Sequence, residues 1–238
     1  MTVAGTAEPP LRTVRWEKTF RLIPSRYPPI ALFERIADPA DWEMNAHIEG
    51  LTNDRLRDHI GDISVVAVNE RIVGQGASPI MAAFTHIGFP SRFTDGTFGV
   101  YYASDSFEAA LHEVLHHTRR FLERTSEPKT QVDLRTYIGR IYADLHDIRG
   151  GWQLAHDPTS HAYAQELGVR LRTAGSNGIV FDSVRYPSGA NIAVFRPSVL
   201  AAPLGKAHVI QGAHIRVEWD GARMARYIVL GEATWNLL

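Results

Sequence analysis

With 238 residues, 45 % of them hydrophobic and 21 % charged, the chain suits one large domain or two small ones and has ordinary material for a core. A net charge of −1 gives no global field toward nucleic acid or a membrane surface, so a substrate phosphate would have to be met by a few local arginines. The absence of cysteine excludes disulfides, thiolate catalysis and Cys-ligated zinc. The N-terminus lacks a basic region followed by an apolar one, and no apolar run reaches the roughly 18 residues of a membrane span; the expectation is a cytoplasmic protein without a membrane segment.

In chain order, residues 1–15 read as a loose lead-in. Prolines at 24, 28 and 29 forbid a continuous helix there. Residues 42–60 have helical composition, with Asp41 as N-cap and Gly61 as stop. The β-branched run 62–68 predicts a strand, and the Gly/Ala/Pro-rich stretch 74–90 a tight loop. Phe98 to Ala103 predicts a strand. Asp105 or Ser106 then caps a helix to about Arg124, whose apolar residues recur at helical spacing. Further on, Tyr137–Tyr142 predicts a strand and 161–173 a helix interrupted by Gly168. Strands follow at 178–181 and 192–195. The tail offers 208–210, 214–219 and 225–230, the last two joined by the Asp220-Gly221 hairpin turn. With no repeat or linker visible, one mixed α+β domain over 1–238 is expected.

His112, Glu113 and His116 spell H-E-x-x-H, the pattern of zinc hydrolases. Arg119 and Glu123 stand where the extended pattern has Gly and His. At 100° per residue the two histidines also lie roughly 120–160° from the centre of the apolar stripe. The expectation is surface histidines and no metal, with a zinc hydrolase as the lesser alternative.

The same stretch carries a resemblance. Ser91-Arg92-Phe93-Thr94-Asp95-Gly96, then Gly99-Val100-Tyr101-Tyr102, then Ala109-Ala110-Leu111-His112-Glu113 resemble the core of the RES domain family, G-R-W-N-x-x-G, a strand ending V-Y, and A-x-x-E. Gly178-Ile179-Val180-Phe181-Asp182-Ser183-Val184-Arg185, followed by Asn191-Ile192-Ala193-Val194-Phe195, matches the family's late serine element. Phe93 replaces the usual Trp, Thr94 the usual Asn, and the turn is one residue shorter. That shortening leaves the family tyrosine open between Tyr101 and Tyr102; counting from Gly96 prefers Tyr101, with Tyr102 in the core. The likeness spans about 30–200, leaving a C-terminal β extension at about 205–238.

The resemblance implies an α+β fold like that of ADP-ribosyltransferases: two small antiparallel sheets forming a cleft, with flanking helices. It implies NAD+ as substrate, cleaved at the nicotinamide–ribose bond by water or inorganic phosphate, no bound cofactor, and an Xre-type helix-turn-helix antitoxin as partner. It assigns catalytic roles to Arg92, Tyr101, Glu113 and Ser183, and substrate binding to Arg185, Tyr102 and Asn191. Transfer of ADP-ribose to a protein target stays open, as does a non-catalytic member that keeps only the fold. The residue types suit the chemistry. Arginine binds diphosphate through paired donors, a carboxylate stabilises an oxocarbenium-like centre and orients ribose, and an aromatic ring can stack on nicotinamide. Arg35 and Arg55 read as surface residues. Ser183 is not in a G-x-S-x-G elbow, so a hydrogen-bonding role is expected of it rather than nucleophilic attack.

Overall fold

A computed structural model describes residues 8–25, 61–125, 128–232 and 234–238. The helix expected at 42–60, Arg35 and Arg55 lie outside the described residues. The strands are β1 Leu11–Pro24, β2 Tyr101–Ser104, β3 Thr130–Asp147, β4 Gly178–Asp182, β5 Ala190–Val194, β6 Ile210–Trp219, β7 Met224–Val229 and β8 Asn236–Leu237. Among the described residues three α-helices join them: α1 Ser78–Thr85, α2 Phe107–Leu122 and α3 Ala162–Thr173. None of the described helices is long and apolar enough to cross a membrane.

The expectation of two small antiparallel sheets is corrected. All eight strands join one mixed sheet, ordered β1-β2-β5-β4-β3-β6-β7-β8, with a further pairing of β1 to β3. The cause is the length of β3. Its 18 residues pair with β1 from Leu134 to His146, with β6 from Thr130 to Ile138 and, in parallel, with β4 at His146 and Asp147. The pairings β1–β2, β2–β5, β5–β4, β4–β3 and β3–β1 close a circuit of five strands, and β6, β7 and β8 extend from its side.

Strand β1 begins at Leu11, inside the stretch read as a lead-in. Its pairing with β3 slips between Trp16 and Thr19, so that two residues of β1 face one of β3. That extra residue changes which parity points inward. Val14 and Trp16 pack into the circuit's interior before the bulge; Phe20 and Leu22 turn to the opposite face after it.

Three apolar clusters follow from this arrangement. The first fills the circuit with Tyr101, Ala103, Ile141, Leu145, Val180, Ile192 and Val194, capped by Ile80, Met81 and Phe84 of α1. The second lies on the outer face of β4 and β5, where Leu167 and Leu171 of α3 cover Ile179, Phe181 and Ala193. The third packs Leu111, Leu115 and Leu122 of α2 against Ile215, Val217 and Trp219 of β6. The carboxyl-terminal strands therefore form the bed of the helix that holds Glu113.

Two further local expectations change. Residues 62–68 are not a strand: Ile63–Val65 and Val68–Glu70 are 3-10 turns. Asp62 caps the first by accepting from the Ser64 amide, and the buried Arg71 donates to the carbonyls of Ile63 and Val66, satisfying them without a strand partner. Within 74–90, Ser78–Thr85 is helical, with a proline in its first turn and Ile80, Met81 and Phe84 buried.

Candidate functional site

Arg92 stands in a turn held from three sides. Ser91 and Thr94 form an isolated bridge. The Thr94 hydroxyl donates to Phe98 O at 2.8 Å and accepts from Gly96 N at 3.0 Å. Phe93, fully buried, sets its ring edge-on to Phe181 at 4.9 Å, and Gln165 of α3 donates to Ser91 O. The side chain of Arg92 reaches across to the loop after β3, donating through Nη1 to Ala155 O at 2.9 Å and Asp157 O at 3.2 Å. The same loop accepts from Arg185 Nη2 at Pro158 O. Both guanidiniums are thus fixed by main-chain carbonyls, and among the described residues neither forms an ion pair. Burial holds Arg92 below its ordinary pKa, an effect that nearby Glu113 offsets and Arg185 adds to.

The tyrosines are placed the other way round from the expectation. Tyr101 lies in the interior of the strand circuit beneath the Arg21 guanidinium, 4.8 Å from the ring centroid, and is almost wholly buried. Tyr102 lines the cleft. Its hydroxyl accepts from Phe93 N at 3.0 Å and shares a 2.8 Å hydrogen bond with Ser91 Oγ, so it splints the Arg92 turn. Burial raises its pKa, which keeps the phenol neutral near pH 7. The physical reason is strand parity. Tyr101 and Ala103 share the inner face, while Tyr102 and Ser104 share the outer one.

Glu113 closes the constellation from α2. Its Oε1 accepts from Ser183 Oγ at 2.8 Å and from Asn191 Nδ2 at 2.9 Å. Asn191 Oδ1 in turn accepts from Ser104 Oγ at 2.6 Å, which fixes the amide so that its nitrogen faces Glu113. Ser183 follows β4 in a turn where its Oγ accepts from the amides of Arg185 and Tyr186. Its hydroxyl proton is therefore committed to the carboxylate. Among the described residues no donor reaches Glu113 Oε2. Arg92, Tyr102, Glu113, Arg185 and Asn191 line one cleft of about 750 Å³, and Ser183 braces it from behind.

Model comparison identifies a RES domain over residues 70–220, more than half of the chain. The chain belongs to the RES domain family. A curated relative, the uncharacterized protein y4oC of Sinorhizobium fredii (strain NBRC 101917 / NGR234), is 26 % identical over 225 residues, covering 91 % of this chain and 89 % of that one. Among solved structures, a chain of the crystal structure of the M. tuberculosis MbcT-MbcA toxin-antitoxin complex matches with a TM-score of 0.43 and 11 % identity, over 88 % of each chain.

The RES arginine, glutamate and serine motifs thus come together around one cleft although they lie far apart in sequence. Three contributors were not read from the sequence as site residues. Arg21, on β1, lines the cleft and donates to Tyr102 O at 2.9 Å; burial lowers its pKa, and among the described residues it has no carboxylate partner. Ser104 locks Asn191. His116, expected on the helix surface, lines the cleft with His117 and His161. Burial and then Arg185 push its pKa down to about 4, so the ring is neutral at pH 7. His112 stacks on Tyr186 with centroids 5.3 Å apart, and among the described residues no third His, Asp or Glu joins the H-E-x-x-H pair in a group that could hold a metal.

Proposed function

We propose that this RES protein cleaves NAD+ at the nicotinamide–ribose bond, with Glu113 as the carboxylate at the reacting centre, and that it acts as the toxin of a toxin–antitoxin pair. The observation that carries the reading is the pinned carboxylate. One oxygen of Glu113 is held by Ser183 and Asn191, while the cleft around it is lined by arginines. A group arranged so is ready to stabilise charge without reorganising as the charge develops.

The reaction follows from these parts. Arg92 and Arg185, already oriented by carbonyls of the 155–158 loop, bind the diphosphate. Tyr102 holds the Arg92 turn and offers its ring face to the substrate. Glu113 Oε2 accepts from a ribose hydroxyl and faces the positive charge that grows at the anomeric carbon. The C–N bond breaks with its electron pair going to the pyridinium nitrogen, so nicotinamide leaves neutral and needs no general acid. Water then adds to the anomeric carbon and releases one proton, giving ADP-ribose. Inorganic phosphate in place of water gives the 1-phosphate, and a protein nucleophile gives ADP-ribosylation. The helix-turn-helix antitoxin and the fold relation to ADP-ribosyltransferases are part of the same proposal and rest on family membership.

Induced expression tests it in cells. The wild-type chain is expected to arrest growth as the NAD+ pool falls, with relief by an Xre-type partner and no arrest from the Arg92→Ala variant. Arrest with an undiminished NAD+ pool would sink the reading.

A further inference from the structure

Helix α2 presents more positive charge to the cleft than the centre around Glu113 uses. At 100° per residue, His117 and Arg120 fall within about 40° of Glu113 around the axis of α2; Arg124 stands in the turn after the helix ends at Leu122, its amide donating to Phe121 O, and all four residues line the cleft. At 1.5 Å per residue, Arg120 stands roughly 10 Å along the helix from Glu113, with Arg124 in the turn beyond its end. The cleft wall formed by α2 and the turn after it thus carries a carboxylate near the middle of the helix and two guanidiniums toward and just past its carboxyl end.

Complementing the helix dipole favours basic residues in a last turn but does not decide which way they face. Arg119, in that same turn, is tied to Glu123 at 2.7 Å. Arg120 and Arg124 face the cleft and have no ion pair with a described carboxylate. Of the described residues lining the cleft, five are arginines and Glu113 alone is acidic. Arg92 and Arg185, coupled to each other beside Glu113, suffice for a diphosphate. Among the described residues the second pair is left without an ion-pair partner. Burial holds His117 and His161 below the usual histidine range; Glu113 opposes this at His117, while Arg185, Arg120 and Arg92 add to it at both rings.

We infer that Arg120 and Arg124, with His117, form a second phosphate subsite that takes a phosphate monoester on the dinucleotide, so that the substrate class is a nicotinamide dinucleotide phosphorylated on its adenosine ribose. This rests on the NAD+-cleaving reading above. A free phosphate ion held there would lie about two helix turns from Glu113, out of reach of the anomeric carbon. A monoester of the same molecule is the chemistry that fits.

The test compares NADP+ with NAD+ for nicotinamide release, and adenosine 2′,5′-bisphosphate with 5′-AMP for binding by calorimetry. Both are run on the wild-type chain and on the Arg120→Ala/Arg124→Ala double variant. The expected wild-type result is at least a tenfold higher kcat/KM for NADP+ and at least tenfold tighter binding of the bisphosphate. The variant is expected to lose both preferences, the first through KM, while its cleavage of NAD+ changes by less than twofold. Arg120→Lys/Arg124→Lys is expected to retain an intermediate preference. Equal kcat/KM for the two dinucleotides with equal binding of the two nucleotides would overturn the subsite and leave the cleavage reading intact. Cleavage of neither dinucleotide, with bisphosphate binding that depends on Arg120 and Arg124, would do the reverse. Acceleration of NAD+ cleavage by inorganic phosphate that requires Arg120 would assign the subsite to a free co-substrate and also overturn the proposal.

Discussion

Ser183 connects two structures at once: it donates to Glu113 and accepts from the amides of Arg185 and Tyr186. Ser183→Ala is therefore expected to lower kcat by about 10²-fold, and stability by about 1–3 kcal/mol for the amides left unpaired, read from nicotinamide release and urea melts. The tyrosines separate by the same logic. Tyr102→Phe removes the hydroxyl that splints the Arg92 turn and accepts from the buried Phe93 amide; it is expected to raise KM and to cost about 1–3 kcal/mol of stability. Tyr101→Ala opens a cavity in the strand circuit and is expected to cost about 3–5 kcal/mol. The sequence held a signal for this assignment. Ser104 and Tyr102 share a parity, and so do Ala103 and Tyr101, so the polar partner marks the outer face; counting from Gly96 overrode it. Arg21 had no comparable signal. Its direction depends on a bulge between Trp16 and Thr19 that composition does not announce.

His116 gives a pH prediction with a definite sign. Its folded pKa, about 4, lies below the ordinary value of 6.5 because burial and then Arg185, His117 and Arg120 disfavour its charge, with Glu113 opposing them. Between pH 6.5 and about 4 the unfolded chain takes up a proton that the folded one does not, so this site costs stability as pH falls through that window. His116→Asn is expected to show a smaller drop in Tm between pH 7.5 and 5 than the wild type. An anion in the cleft favours the charged ring, so phosphate-bearing ligands are expected to bind more tightly as pH falls through the same range.

At the scale of elements, α2 and α3 were legible because their apolar residues recur at helical spacing. The Ser106 hydroxyl accepts from Ala109 N and starts α2 within a residue of where the sequence placed it. Gly168 was read as an interruption, yet α3 runs through it. Its lack of a side chain serves packing instead. A Cβ there would come within 2.0 Å of Phe93 O, the residue beside Arg92. Gly168→Ala gains about 1 kcal/mol of helix propensity but pushes on the Arg92 turn at an overpacking cost of about 1–3 kcal/mol. The expected result is a net loss of stability and a raised KM, measured on the same preparation. Residues 62–70 misled because a β-branched run resembles a buried strand until its carbonyls find another partner, here the guanidinium of Arg71.

At the scale of the whole molecule, the motif order located the site, but the sheet could not be read from it. Strand candidates carry no information about sharing, and one long strand with three neighbours turned two expected sheets into one. The carboxyl-terminal strands, of which β6 closes the RES match and β7 and β8 lie beyond it, are structural for the site: Ile215, Val217 and Trp219 of β6 receive the apolar face of α2. A chain ended before Ile210 is expected to lose cooperative unfolding and nicotinamide release together. Retention of both would show that α2 does not need this bed.

The most direct test of the account is nicotinamide release from NAD+ by the purified protein beside its Glu113→Gln variant, with circular dichroism to show that both are folded. One nicotinamide per ADP-ribosyl product is expected from the wild type, and at least 10²-fold slower release from the variant. A folded wild type that releases none, or a variant that matches it, would contradict the placement of the reacting centre at Glu113.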